Sequence, residues 1–312
     1  MKSGYAFPRG RAQFFASHAH DLAKASEFYG FGRSLPLPIR LGVNAVLHVP
    51  GLRRGLIVPH SFAPPCGKDT LANLLLQLNV PGRRSLVFYQ RRGQFDHFAA
   101  LIYSSSRAFG FVQVRPEQER FPYPEVQMLA FRFPRAKGEV SLDGWHARLL
   151  ELLPGFHRPY AWNSDVVPEV ASQASRVLAS VLPRPNGTPD HWRPIHGDLT
   201  PWNLRVDRRG RVWLIDWERS RFGPPLADIF RHAITDATLT LTEPETIVTV
   251  VAERLGGMGE DLREAARFWL SDPIFADVED LREGIGQQSW PDSDWDRGVV
   301  EYEAIRLLAE EG

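Results

Sequence analysis

Hydrophobic positions follow two different periods along this 312-residue chain, and the change between them divides it. Before residue 134 the apolar runs are short and strand-like. Ile39 to Val49 and Gly55 to Val58 flank a Pro50-Gly51 turn, and Ser85 to Tyr89, His97 to Tyr103 and Phe109 to Val114 come next, rich in β-branched and aromatic residues. Gln90-Arg91-Arg92-Gly93-Gln94 and Ser104-Ser105-Ser106-Arg107 separate the last three, the layout of an antiparallel meander. One helix interrupts them: Asp69 to Leu78 places Leu71, Leu74, Leu75 and Leu78 on one face, with Asp69 or Thr70 as its cap. Glu125 to Phe133, closely preceded by Pro122 and Pro124, reads as a further strand leading to a hinge. Residues 1 to 35 show no clear period and end in the extended Leu35-Pro36-Leu37-Pro38, an extension expected to pack on the strand-rich part of the chain.

Beyond residue 134 the spacing becomes helical. Ser141 to Leu153 carries Trp145, Leu149, Leu150 and Leu153 on one side and is predicted as a helix. Asp165 to Leu182 predicts a longer one, with Val166, Val170, Ala174, Val177, Leu178 and Val181 as its apolar stripe. Further helices are predicted over Ile229 to Ala237, Pro244 to Leu255, Asp261 to Leu270 and Asp294 to Glu310. The exception is Pro194 to Asp228. There Asn203 to Val206 and Arg211 to Ile215 are strand-like, and Asp207-Arg208-Arg209-Gly210 supplies the Asp and Gly of a tight turn.

That stretch holds the candidate chemistry. His196-Gly197-Asp198 is followed after four residues by Asn203, and the second strand ends in Ile215-Asp216-Trp217-Glu218. The hairpin folds Asp216 back beside Asn203, while Asp198 lies on a loop that presents side chains. Phosphoryl transfer needs such a set: a carboxylate to take the proton of an attacking hydroxyl, and an Asn and an Asp to hold Mg²⁺ against nucleotide phosphates. A capped turn alone would explain His-Gly-Asp, but not the Asn spacing and the second Asp together. A metallophosphoesterase would need more His and Asp ligands at strand ends, and no other His shows that spacing.

This ordered pattern, continued by Gly223-Pro224-Pro225-Leu226 and Asp228, resembles the aminoglycoside phosphotransferase and choline kinase group, small-molecule relatives of protein kinases. The resemblance implies a two-lobed, protein-kinase-like α+β fold. Residues 1–35 would form an extension, 36–134 an antiparallel nucleotide-binding lobe, and 135–312 a helical lobe with the catalytic loop and acceptor site. It implies transfer of the ATP γ-phosphoryl group to a hydroxyl of a small molecule, with Asp198 as catalytic base and His196 bracing the loop. Asn203 and Asp216 would be the Mg²⁺ ligands, and Asp228 and Glu218 supporting residues. The loop with Arg91, Arg92 and Gly93 would cover the nucleotide phosphates.

The first lobe departs from the pattern. The family's third strand carries a phosphate-binding lysine, and Gln113 stands there in this chain. Losing such a charge costs on the order of 3 kcal/mol of transition-state stabilisation. Lys68, Arg91, Arg92 or Arg115 could replace it, and Glu125 is the nearest partner carboxylate. The departure also motivates a second expectation: a scaffold that binds nucleotide or a protein partner with little or no transfer.

Composition narrows the rest. Basic and acidic residues number 37 each, so bulk charge calls for neither nucleic acid nor an anionic membrane. Cys66 is the one cysteine, which excludes an internal disulfide. No run approaches the roughly 18 apolar residues of a spanning helix, and the first twenty residues lack a continuous apolar core, so a cytoplasmic protein is expected. Asp236, Trp269, Asp272, Asp277, Trp290 and Trp295 are the candidates for gripping an acceptor, weighed against aromatics that merely cover the core.

Overall fold

The computed structural model describes residues 4–7, 14–16, 58–60, 63–80, 85–89, 98–104, 107–120, 130–153, 157–275 and 292–310. They group into two compact units, one from residues up to 121 with 134–156, the other from 122–133 with 157–312. The expected strand Ile39 to Val49 and the Pro50-Gly51 turn lie outside the described residues, as do Arg91, Arg92, Gly93 and Glu125.

The first unit is built on one eight-stranded antiparallel sheet. Its strands are β1 (Gly4–Phe7), β2 (Phe14–Ala16), β3 (Val58–His60), β4 (Ser85–Tyr89), β5 (Phe98–Ser104), β6 (Arg107–Pro116), β7 (Ala136–Leu142) and β8 (Trp145–Leu150). They lie in the order β3-β1-β2-β4-β5-β6-β8-β7. The predicted meander is β4-β5-β6, and the expected extension contributes two strands of its own, β1 and β2, to the sheet.

The helix predicted over Ser141 to Leu153 is instead the β7–β8 hairpin. Asp143 and Gly144 both take positive φ, 53° and 76°, the backbone of a tight turn whose twist suits antiparallel strands. Trp145, Ala147 and Leu149 fit a two-residue period as well as a helical one, and the Asp-Gly turn decides between them. Strands β7 and β8 accordingly extend the first sheet, whereas the spacing of apolar residues places them in a helical second lobe.

Helix α1 (Lys68–Gln77) covers one face of the sheet with Leu71, Leu74 and Leu75. These pack with Phe98, Ala100, Ile102, Val112, Val114, Ala147 and Leu149 into a single core. Burial there pushes the Cys66 thiol up to about 11, so it stays protonated and unreactive.

The second unit is mainly helical, with α2 (Val166–Leu178), α3 (Ala227–Ala237), α4 (Pro244–Arg254), α5 (Glu260–Leu270) and α6 (Asp292–Glu310). Helix α2 starts where Asn163 Oδ1 accepts from the backbone N–H groups of Asp165 and Val166, at 3.1 and 2.8 Å. Helix α3 is buried on nearly every side, against Ile247, Val251, Leu262, Trp269 and Ile305. No described helix is long and apolar enough to cross a membrane.

A small sheet orders β12 (Val212–Leu214), β11 (Leu204–Asp207) and β9 (His157–Pro159), and β10 (Arg193–Ile195) pairs with β13 (Arg221–Gly223). The expected strand Glu125 to Phe133 is described only from Ala130, where Arg132 makes a single parallel bridge to Trp213. Its described part therefore joins the hairpin of the second unit.

Asp207 holds the β11–β12 turn. Its Oδ1 accepts from the N–H groups of Arg209 and Arg211, and its Oδ2 from Arg211 Nε and Trp213 Nε1. Burial pushes this carboxyl up, but the four donors outweigh it and hold it at about 2 against an ordinary 3.8. A depressed carboxylate stabilises above its unfolded value and loses that contribution as pH falls through its folded one. Asp207→Asn is expected to lower stability by roughly 2 kcal/mol at pH 7. The deficit should shrink toward pH 2 in denaturant melts run across pH; a deficit independent of pH contradicts the charge assignment.

Candidate active site

The site begins at the end of β10. Asp228, in the first turn of α3, is buried, and its Oδ2 and Oδ1 accept from the N–H groups of His196 and Gly197 at 2.6 and 3.0 Å. The chain is thereby pinned just before Asp198. Gly197 must be glycine on two counts. Its φ is +74°, and a Cβ there would lie 2.0 Å from the Arg219 carbonyl oxygen.

His196 is fully buried, and its Nε2–H donates to the Ile215 carbonyl at 3.0 Å, which fixes its tautomer. Burial lowers its pKa to about 3, so the ring is neutral near pH 7. His196 is a buried strut between the loop and the residue before Asp216.

Asp198 is partly exposed. Its backbone carbonyl and its Oδ2 both accept from Asn203 Nδ2, at 2.9 and 2.8 Å. The opposite end of that amide, Oδ1, is thus turned away from Asp198. Ile215 N–H donates to the Asn203 carbonyl at 3.0 Å, so the hairpin sets Asp216 one residue beyond Asn203's own partner.

Asp216 is exposed and left-handed, with φ 66° and ψ 60°. A non-glycine residue there holds about 1 kcal/mol or more of backbone strain, which surrounding structure must fix. Trp217 does so: it is buried, with ring centroids 5.0 Å from His196, 6.0 Å from Phe131 and 5.7 Å from Phe133. Glu218 comes next, half-buried, in the single turn Trp217–Arg219.

The donor set of Asn203 Oδ1 and the Asp216 carboxylate suits a hard cation. Among the described residues no cluster of three or more His, Cys, Asp or Glu could hold a metal by itself. Two oxygen ligands fit Mg²⁺, which keeps several waters and shares its remaining positions with substrate phosphates.

The segment after Asp216 is clamped by Asp272, one of the candidates that the sequence offers for gripping an acceptor. Asp272 is buried and pairs with Arg219 Nη2 at 2.6 Å and with Arg221 Nη2. Arg221 lies over the Phe268 and Trp269 rings, and Ser220 Oγ donates to the His196 carbonyl at 3.2 Å. The other acceptor candidates are also engaged or elsewhere. Trp269 is core, its Nε1 donating to the Ala227 carbonyl, and Asp236 pairs with Arg254. Asp277 and Trp290 lie outside the described residues, and Trp295 falls in the first turns of α6. The Asp272 clamp joins residues 51 and 53 positions apart, a separation that leaves no local pattern.

The antiparallel sheet unit and the helical unit with its loop and hairpin make this an α+β protein of two compact units. Residues 117–269, which contain every residue of the loop and hairpin, match the model of the phosphotransferase enzyme family. No curated protein sequence matches the chain. Among solved structures it is similar to a thermostable mutant of the aminoglycoside phosphotransferase APH(4)-Ia with ADP and hygromycin B, at 14% identity and TM-score 0.45, covering 78% of this chain and 100% of that one. The spectinomycin phosphotransferase APH(9)-Ia with ADP and spectinomycin matches at 12% identity and TM-score 0.45, covering 77% and 97%. The choline kinase LicA from Streptococcus pneumoniae matches at 13% identity and TM-score 0.36, covering 78% and 99%.

Two outcomes are expected. Burial raises Asp228 to about 6 from an ordinary 3.8, so its contribution to stability is full below about pH 4 and lost as pH rises through 6. Asp228→Asn lacks this loss. Its stability relative to the unsubstituted protein should improve by roughly 3 kcal/mol between pH 4 and pH 8 in denaturant melts; no relative change across that range contradicts the assignment. Gly197→Ala should lower the melting temperature and disrupt the loop, since backbone lies in the path of the methyl group; unchanged melting and unchanged backbone amide NMR shifts for Asp198 and Arg219 would contradict the close approach.

Proposed function

We propose that this protein transfers the γ-phosphoryl group of ATP to a hydroxyl of a small molecule. The observation that carries the reading is the hydrogen bond from Asn203 to the partly exposed Asp198 carboxylate, on a loop anchored by Asp228 and His196 beside Asp216. These residues lie in the segment that matches the phosphotransferase family.

In this reading Asp198 orients the acceptor hydroxyl and accepts its proton as the new O–P bond forms and the bond between the β,γ-bridging oxygen and the γ-phosphorus breaks. ADP leaves with the electron pair of that bond. Asn203 Oδ1 and Asp216 would hold Mg²⁺, whose charge offsets that of the phosphates. His196 and Asp228 position the loop without touching substrate. The alternative drawn from Gln113, a scaffold with little or no transfer, finds no support in the family match.

The test is ADP release from ATP and Mg²⁺ against a panel of small hydroxylated acceptors, including aminocyclitols and choline. With an acceptor in hand, Asp198→Asn is expected to lower kcat by about 10²–10⁴ and leave ATP affinity unchanged. Asp216→Asn should abolish the Mg²⁺-dependent part of ATP binding measured by calorimetry. Full turnover by Asp198→Asn sinks the assignment.

A further inference from the structure

Three tracts of the second unit meet just before Asp198: Ile195 to Gly197, the segment Arg219 to Arg221, and the residues that follow α5. The middle tract continues the chain from Asp216 through the single turn Trp217–Arg219. Its placement therefore bears on where the Asp216 carboxylate stands.

The side chains of this segment alternate. Ser220 is extended, with φ −63° and ψ 132°, so its side chain leaves the backbone on one side and those of Arg219 and Arg221 on the other. One side is fastened to the catalytic loop. Ser220 Oγ donates to the His196 carbonyl at 3.2 Å, and Arg221 pairs in register with Ile195 on β10. The Arg219 carbonyl oxygen approaches Gly197 so closely that a Cβ there would lie 2.0 Å away.

The other side is fastened to Asp272. Arg219 Nη2 donates to its Oδ1 at 2.6 Å and Arg221 Nη2 to its Oδ2, so each carboxylate oxygen takes one arginine. The Asp272 side chain has no exposed surface, and charge-assisted bonds of this kind are roughly twice as strong as neutral ones. Asp272 in turn stands on the base that carries the loop anchor. Its N–H donates to the Trp269 carbonyl at 3.0 Å, and Trp269 Nε1 donates to the Ala227 carbonyl at 2.7 Å. Ala227 adjoins Asp228, which holds His196 and Gly197. The contacts close a ring, from Asp228 to the loop, to Arg219 and Ser220, to Asp272, and through Trp269 back to Asp228. Asp198 extends from this ring on the loop, and Asp216 from the segment.

We propose that Asp272 is a positioning residue for the transfer step: by holding Arg219 and Arg221 it sets the Asp216 carboxylate relative to Asp198. This rests on the reading of the protein as an ATP-dependent phosphotransferase. It adds to that reading a residue beyond the segment that matches the family, which ends at 269. The effect reaches the chemistry through the metal. Mg²⁺ demands near-ideal octahedral geometry, so a displaced Asp216 weakens its hold on the ion.

The experiment compares the full chain with Asp272→Asn, both confirmed as folded by thermal melts, in two measurements. In turnover across a Mg²⁺ series, Asp272→Asn is expected to lower kcat on the order of 10–100-fold and leave the acceptor KM unchanged. It should need about tenfold more Mg²⁺ for half-maximal turnover. In amide hydrogen exchange, which needs no acceptor, His196, Gly197 and Ser220 should exchange faster while Phe230 in α3 keeps its rate. If Asp272→Asn does not fold, Arg219→Gln carries the test, since Arg219 is partly exposed and Arg221 keeps its hold on Asp272. The same pattern with smaller fold-changes then supports the proposal. A folded variant with unchanged kcat and Mg²⁺ requirement, or exchange altered at all amides alike, overturns it. An unsubstituted protein that turns over no acceptor counts instead against the phosphotransferase reading, and the exchange rates still decide whether Asp272 holds the loop.

Discussion

The candidate site depends on one buried carboxylate. Asp228 accepts from two consecutive backbone N–H groups, and no neutral side chain of similar size offers two such acceptors. Placing it in the first turn of α3 favours its charge through the helix dipole, yet full burial wins and raises its pKa. The carboxyl is thus ionised near pH 7, at a cost in stability relative to acid pH. The need to fix His196 and Gly197 explains why: without both acceptors, the loop presenting Asp198 has two buried donors unsatisfied.

Everything around this anchor converts rigidity into position. Helix α3 is itself packed by core on almost all sides, so Asp228 stands on a well-buried element of the second unit. His196 passes that rigidity to Ile215, the β11–β12 pairing passes it to Asn203, and Trp217 holds Asp216 in its strained backbone conformation. Asp207, at the far end of the hairpin, fixes the turn with four donors, so the strand register that aligns Asn203 with Ile215 is set from both ends.

Much of this was legible in the sequence because it is local. His196, Asp198, Asn203 and Asp216 fall within one hairpin and its entry loop, and turn residues with alternating apolar runs specify such a unit at short range. The meander β4-β5-β6 was legible for the same reason. The β7–β8 hairpin was misread because Trp145, Leu149 and Leu150 satisfy a helical stripe as well as a strand. Only the Asp143-Gly144 turn separates the two, and its signal is two residues long. The Asp272 clamp leaves no local pattern because its arginine partners lie more than fifty positions upstream.

That last distance bears on the order in which the protein is made. Arg219 and Arg221 flank the turn after Asp216, and the residue that clamps them both comes just after the C-terminal end of α5. During synthesis the loop, the hairpin and Asp228 all emerge from the ribosome before Asp272 exists. The site therefore passes through a stage in which its chemical groups are complete in sequence but two guanidinium groups beside the catalytic loop still await their carboxylate. The clamp on this segment closes only once that residue is in place.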